Sequence, residues 1–147
     1  MRLHTASEVI SFAKELENES ASFYQNLSPR YAKDKDVFLS FAKENERNVV
    51  QIERTYYGVI TDAIEGCFAF DMNPDKYAFN TGLAEKATYS DALEKAIEME
   101  EIIVKFYSDA AEQAKSLLAD VPRAFTMIVS KRNNRGPKLR SLLKEEV

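Results

Sequence analysis

The sequence predicts an all-α protein: a bundle of four helices, set as two helical hairpins joined by a long crossover. Three observations carry this. Apolar residues recur at a 3.6-residue period along four stretches. Glycine and proline number four each, while charged residues make up 30 % of the 147, a balance that suits helices. The chain also repeats itself. One shift pairs Thr5 with Thr88, Ala13 with Ala96, Glu17 with Glu100, Phe23 with Phe106 and Tyr24 with Tyr107. A slightly larger shift pairs Phe38 with Phe125, Asn45 with Arg132 and Asn48 with Arg135.

The first helix opens at the capping box Thr5-x-x-Glu8, in which each residue satisfies a free backbone donor of the other. Its buried line is Ile10, Ala13, Ser20, Tyr24 and Leu27, and Pro29 marks its end. A second, long helix starts near Asp34, with Phe38, Phe41, Ile52, Tyr56 and Val59 on one stripe. Periodicity then lapses, and Cys67-Phe68-Ala69-Phe70-Asp71-Met72-Asn73-Pro74 mixes turn formers with aromatics. The lapse is too long for a tight turn. It reads as the crossover, with Phe68, Phe70, Tyr77 and Phe79 covering the flank of the bundle.

The third helix starts at Thr88 or Ser90 and buries Leu93, Ala96, Val104, Tyr107, Ala111 and Ala114. The fourth starts near Val121-Pro122, proline being well placed in a first turn. It continues through Phe125 and Ile128 and extrapolates through Arg132, Arg135, Leu139 and Leu142. Residues 1–147 are thus read as one domain, with hairpins at about 5–65 and 88–147 and the crossover at about 66–87. Two readings stay open for 131–138. The run is a basic loop after a helix ending near Ser130, or a helix kinked after Arg135; Leu139, Leu142 and Leu143 resume in phase and favour the second.

In every helix the apolar stripe is interrupted by polar residues in phase with it: Glu17, Asn45 with Asn48, Glu100, and Arg132 with Arg135. Burying such groups costs several kcal/mol each unless they find partners. They must therefore meet one another, a metal or water. Two carboxylates, two guanidinium groups and two neutral amides sum to zero charge. The leading expectation is a metal-free, non-catalytic network in which Glu17 and Glu100 pair with Arg132 and Arg135, while Asn45 and Asn48 take up the remaining donors and acceptors. A turn of about 100° in the second helix would instead bring Glu44 inward, making Glu17, Glu44 and Glu100 a metal-binding set. A third reading makes Arg132 and Arg135 a clamp for an anion or small molecule.

The run Ala92-Leu93-Glu94-Lys95-Ala96-Ile97-Glu98-Met99-Glu100, continuing to Phe106-Tyr107, has its counterpart in Ala13-Lys14-Glu15-Leu16-Glu17 and Phe23-Tyr24. Together they resemble the rubrerythrin branch of the ferritin-like superfamily, and the resemblance extends over nearly the whole chain. It implies a ferritin-like four-helix bundle. The sequence carries no pair of Cys-x-x-Cys motifs of the kind that hold the separate iron site of full-length rubrerythrins.

In members that bind two irons, each hairpin supplies a Glu from its first helix and a Glu-x-x-His from its second. Glu17 and Glu100 match the first-helix carboxylates. The second-helix positions hold Asn45 and Asn48 in one hairpin and Arg132 and Arg135 in the other. The single histidine, His4, lies before the first helix. Arginine does not deprotonate to become a ligand, and asparagine is a weak neutral one. The resemblance thus implies a relative that has lost its di-iron centre and its peroxidase or oxidase activity. Such a protein acts through its surfaces, as a homodimer, another oligomer or a partner subunit. The alternative is an oxidoreductase or metal carrier whose rearranged site holds one or two iron ions.

Other features narrow the classes. The net charge of −4 gives no general attraction to nucleic acid. No apolar run approaches the roughly 18 residues of a membrane span, and the N-terminus lacks the core of a signal peptide. One cysteine, Cys67, rules out an internal disulfide and fits a reducing cytoplasm. Nothing around it marks an activated thiolate. Inward-facing Tyr24 and Tyr107 read as packing residues.

Overall fold

Thr5 and Thr88 open the two halves of the molecule in the same way. In the computed structural model, which describes residues 2–59, 70–116 and 120–146, each threonine hydroxyl accepts the backbone N–H three residues on. The carboxylate at that third position, Glu8 or Asp91, accepts the threonine N–H in return. From these caps start α1, Ala6–Arg30, and α3, Tyr89–Gln113. Helix α2 is Lys35–Val59, reached through a single 3₁₀ turn at Ala32–Asp34. The last arm is two helices, α4 at Asp120–Arg132 and α5 at Arg135–Glu145. The protein is all-helical apart from its connections, and its one β-bridge among the described residues joins Leu3 to Met72.

Contacts along the chain fix the directions. Lys14 near the start of α1 pairs with Glu53 near the end of α2 at 2.8 Å, so the two run antiparallel. The crossover then follows α1 from its start to its end. Leu3 exchanges backbone hydrogen bonds with Met72, Tyr77 packs on Phe12 with ring centroids 6.5 Å apart, and Arg30 donates to the carbonyl oxygen of Ala84 at 2.5 Å. This path delivers the chain to the starting end of α2, where the Tyr89 hydroxyl donates to Asp34 and its ring stacks on Tyr31. Helix α3 therefore runs parallel to α2, an order that a short turn cannot make and a crossover can. Helices α4 and α5 return along α3. The expected end of the first hairpin near 65, and Cys67 and Phe68, lie outside the described residues.

Three details depart from the sequence reading. Helix α1 passes through Pro29 and closes at Tyr31, whose N–H donates to the Leu27 carbonyl. On α3 Ile103 and Ala110 are fully buried where the sequence reading put Val104 and Ala111, which are only half-buried. The basic run is helical on both sides of a break at Asn133–Asn134, so the chain bends before Arg135 instead of after it. The physical reason is that Pro137 is the third residue of α5. Its missing N–H is one that a helix leaves without an internal partner in any case.

The core fills the space between the helices with Phe38, Ile52, Leu93, Met99, Phe106 and Phe125, each at most 1 % exposed. Among the described residues the same core buries six charged or amide side chains, at Glu17, Asn45, Asn48, Glu100, Arg132 and Arg135.

Candidate functional site at the bundle centre

Each of those six residues is on a different turn of the inward stripe of its helix, and all are at most 2 % exposed. Arg132, the last residue of α4, is the hub. One terminal nitrogen donates to both carboxylate oxygens of Glu100, at 2.6 Å to Oε1. The other donates to Glu17 Oε2 and, at 3.1 Å, to Asn45 Oδ1. Asn45 passes its own amide hydrogen to Ser20 Oγ at 2.9 Å. Asn48 donates to the second oxygen of Glu17 at 2.8 Å. Arg132 thus ties α1, α2 and α3 to α4 through one side chain.

Arg135, the first residue of α5, extends the network outward. Its Nη1 donates to Glu100 Oε1 at 2.9 Å, while Nε and Nη2 donate to Glu44 Oε1 at 3.2 and 2.9 Å. Nη2 also reaches the Phe41 carbonyl at 3.0 Å. The guanidinium carbon lies 4.9 Å from the ring centroid of Phe41 and 5.6 Å from that of Tyr24, so its charge is further stabilised by two aromatic faces. The Glu44 side chain is 32 % exposed and forms the rim between this network and solvent.

The electrostatics follow from burial. Desolvation alone would lower the Arg132 pKa, but Glu100 and Glu17 outweigh it and hold the guanidinium more firmly protonated than usual. Burial pushes the Tyr24 and Tyr107 hydroxyls well above the ordinary tyrosine range, with Glu100 and Glu17 respectively adding to the effect. These two tyrosines, fully buried and related by the repeat, have no hydrogen-bond partner for their hydroxyls among the described residues; the same holds for Asn48 Oδ1 and Arg132 Nε. They pack on phenylalanines, Tyr24 stacked on Phe38 and Tyr107 tilted on Phe125.

All six sequence-predicted residues therefore meet in one hydrogen-bonded cluster. The alternative set Glu17, Glu44 and Glu100 is not brought together. Arg132 bridges Glu17 and Glu100, Arg135 bridges Glu100 and Glu44, and among the described residues no group of three His, Cys, Asp or Glu side chains is placed to hold a metal ion. The helix turn that would have moved Asn45 outward is not present, since Asn45 and Asn48 are both 0 % exposed. Nor do the arginines open as a clamp: all four of their terminal nitrogens already donate to carboxylates of the protein. Two further participants were not assigned to the network by the sequence. Ser20 had a signal, a small polar residue in phase with Glu17. Glu44 was offered only as a metal ligand, and it joins the network instead through the reach of Arg135.

Comparison of the chain with protein-family models, with curated proteins and with solved structures finds no match. Fold and site define it as an all-α helical protein with an ion-paired, hydrogen-bonded centre. No helix among the described residues is long and apolar enough to cross a membrane.

Proposed function

We propose that the chain is a rubrerythrin-type, ferritin-like bundle in which a guanidinium–carboxylate network has replaced the pair of metals. It is a cytoplasmic protein that works through its surfaces, as a homodimer or a subunit of a larger complex, and carries no oxidoreductase site. One observation supports this above all: Arg132 donates to both Glu17 and Glu100 at full burial. Those are the two carboxylates a di-iron centre of this family would need.

The donor set does not fit such a centre. Iron in these bundles is bound by deprotonated oxygens and neutral imidazoles. Here the four second-helix positions supply two amides and two permanent cations. A metal ion entering the centre would have to displace Arg132 from both carboxylates and then share the space with its charge.

The test is metal content per chain, by elemental analysis, after expression with added iron and again after anaerobic reconstitution. Less than about a tenth of an equivalent of iron, manganese and zinc together is expected. One or two tightly held equivalents would overturn the reading.

A further inference from the structure

A groove of about 810 Å³ lies on the outer face where α2 meets α4, away from the buried network. Lys43, Arg47 and Arg54 recur along its α2 wall, about 16 Å from end to end at 1.5 Å per residue. Lys131 of α4 closes the other side, its Nζ donating to Gln51 Oε1 at 3.2 Å. Among the described residues Lys43, Arg47 and Arg54 make no ion pair, and Glu46 is the single carboxylate that lines the groove. In a chain of net charge −4 this is a local concentration of unneutralised positive charge.

The same groove gathers exposed apolar surface. Among the described residues the exposed large hydrophobics are Val50 and Met127, at 45 % and 44 %. Val50 is part of the groove, and Met127 adjoins it through Gln51, whose Nε2 donates to the Met127 sulfur at 3.5 Å. Apolar side chains rimmed by charge mark interaction sites. A concave strip between two helices, about three turns long, suits a helix laid into a groove.

We propose that this groove docks an acidic amphipathic helix of a partner protein. The apolar stripe of that helix covers Val50 and Met127, and its carboxylates on either side meet Lys43, Arg47, Arg54 and Lys131. The proposal deepens the surface role above and rests on it only for the expectation of a protein partner. A second copy fits poorly. A two-fold contact would lay the same cations against themselves, and a head-to-tail contact would leave a groove open at every step and grow a filament. Nucleic acid fits poorly as well, since the groove has an apolar middle, an interposed Glu46 and, among the described residues, no aromatic side chain for base stacking.

The experiment uses the full chain and a fluorescent synthetic peptide, with leucines on one helical face and glutamates flanking them, followed by anisotropy. A peptide of the same composition, scrambled so that the leucines share no face, is the control. Binding of the first peptide, weakened roughly tenfold by Val50→Asp and by Arg47→Glu but unchanged by Arg140→Glu, is expected. Circular dichroism of each variant confirms that these exposed positions leave the fold intact. No binding, equal binding of the scrambled peptide, or displacement of the peptide by a poly(dT) oligonucleotide at lower concentration overturns the proposal. So does self-association in sedimentation that Val50→Asp abolishes. The two readings fail separately: a chain that takes up iron yet binds the peptide sinks only the metal-free role, and a metal-free chain that ignores the peptide sinks only the groove.

Discussion

Arg132 on α4 and Glu17 on α1 lie 115 positions apart and hydrogen-bond to each other with both side chains fully buried. The contact closes the bundle across its whole sequence. Taking two charges out of water is expensive, and their attraction repays it only when the remaining donors and acceptors are also satisfied. Glu17 meets that condition through Asn48, and Arg132 meets it at its two terminal nitrogens, through Glu17, Asn45 and Glu100, while its Nε finds no partner among the described residues.

Removing the hub should therefore cost far more than removing a surface arginine. Arg132→Ala leaves Glu17 buried with only an amide for a partner, a loss of roughly 3–5 kcal/mol. Arg140→Ala breaks an exposed pair with Glu101 and should change stability by about 1 kcal/mol or less. Arg135→Ala should fall between them. Glu100 keeps Arg132, and Glu44, at the rim, turns to water. Urea unfolding of the three variants gives the order, and equal midpoints for Arg132→Ala and Arg140→Ala would remove the network from the account of stability.

The centre was legible in the sequence because two independent signals coincide there. Glu17, Asn45, Asn48, Glu100, Arg132 and Arg135 are in phase with apolar stripes, and the internal repeat places them in pairs. The half-buried pairing of Arg135 with Glu44 was not legible, since it depends on a long side chain crossing between helices. The bend at Asn133–Asn134 was misplaced by two residues for a different reason. Proline inside a helical run reads as a helix breaker, whereas Pro137 sits where a new helix begins. The groove between α2 and α4 has no sequence signature at all: Arg47 and Lys131 look like ordinary solvated charges until packing brings them together.

That placement of Pro137 makes a prediction. A proline inside a helix costs about 3 kcal/mol, but here it removes no internal hydrogen bond. Pro137→Ala should shift the unfolding free energy by only about 0.5 kcal/mol, in either direction. A gain of several kcal/mol would show that α4 and α5 are one strained helix.

Alkaline pH should unfold the protein cooperatively. Burial raises the pKa values of Tyr24 and Tyr107; burial with Asp109 raises that of Tyr77, and burial with Asp34 that of Tyr89. A group whose folded pKa lies above its unfolded value stabilises the fold fully below the unfolded pKa. For tyrosine that contribution declines once pH rises past about 10, because the unfolded chain then releases protons that the folded one retains. Tyrosinate absorbance and loss of helical circular dichroism should consequently rise together above that pH. Tyrosinate appearing in full while the helices persist would contradict the burial of these hydroxyls.

The most demanding prediction reverses the proposed exchange of metal for arginine. Asn45→Glu, Asn48→His, Arg132→Glu and Arg135→His together restore a Glu-x-x-His motif to the second helix of each hairpin, opposite Glu17 and Glu100. Without metal the cluster then holds four carboxylates and no permanent cation, so the apo variant should be much less stable than the natural chain. Cobalt(II) or iron(II) should restore stability by binding the folded state alone, at about two equivalents per chain, and cobalt should give visible absorption bands that the natural chain lacks. A variant that folds without metal and takes up none would mean that the six positions do not face one another with the separation a di-metal site requires, and the ferritin-like reading would fall with it.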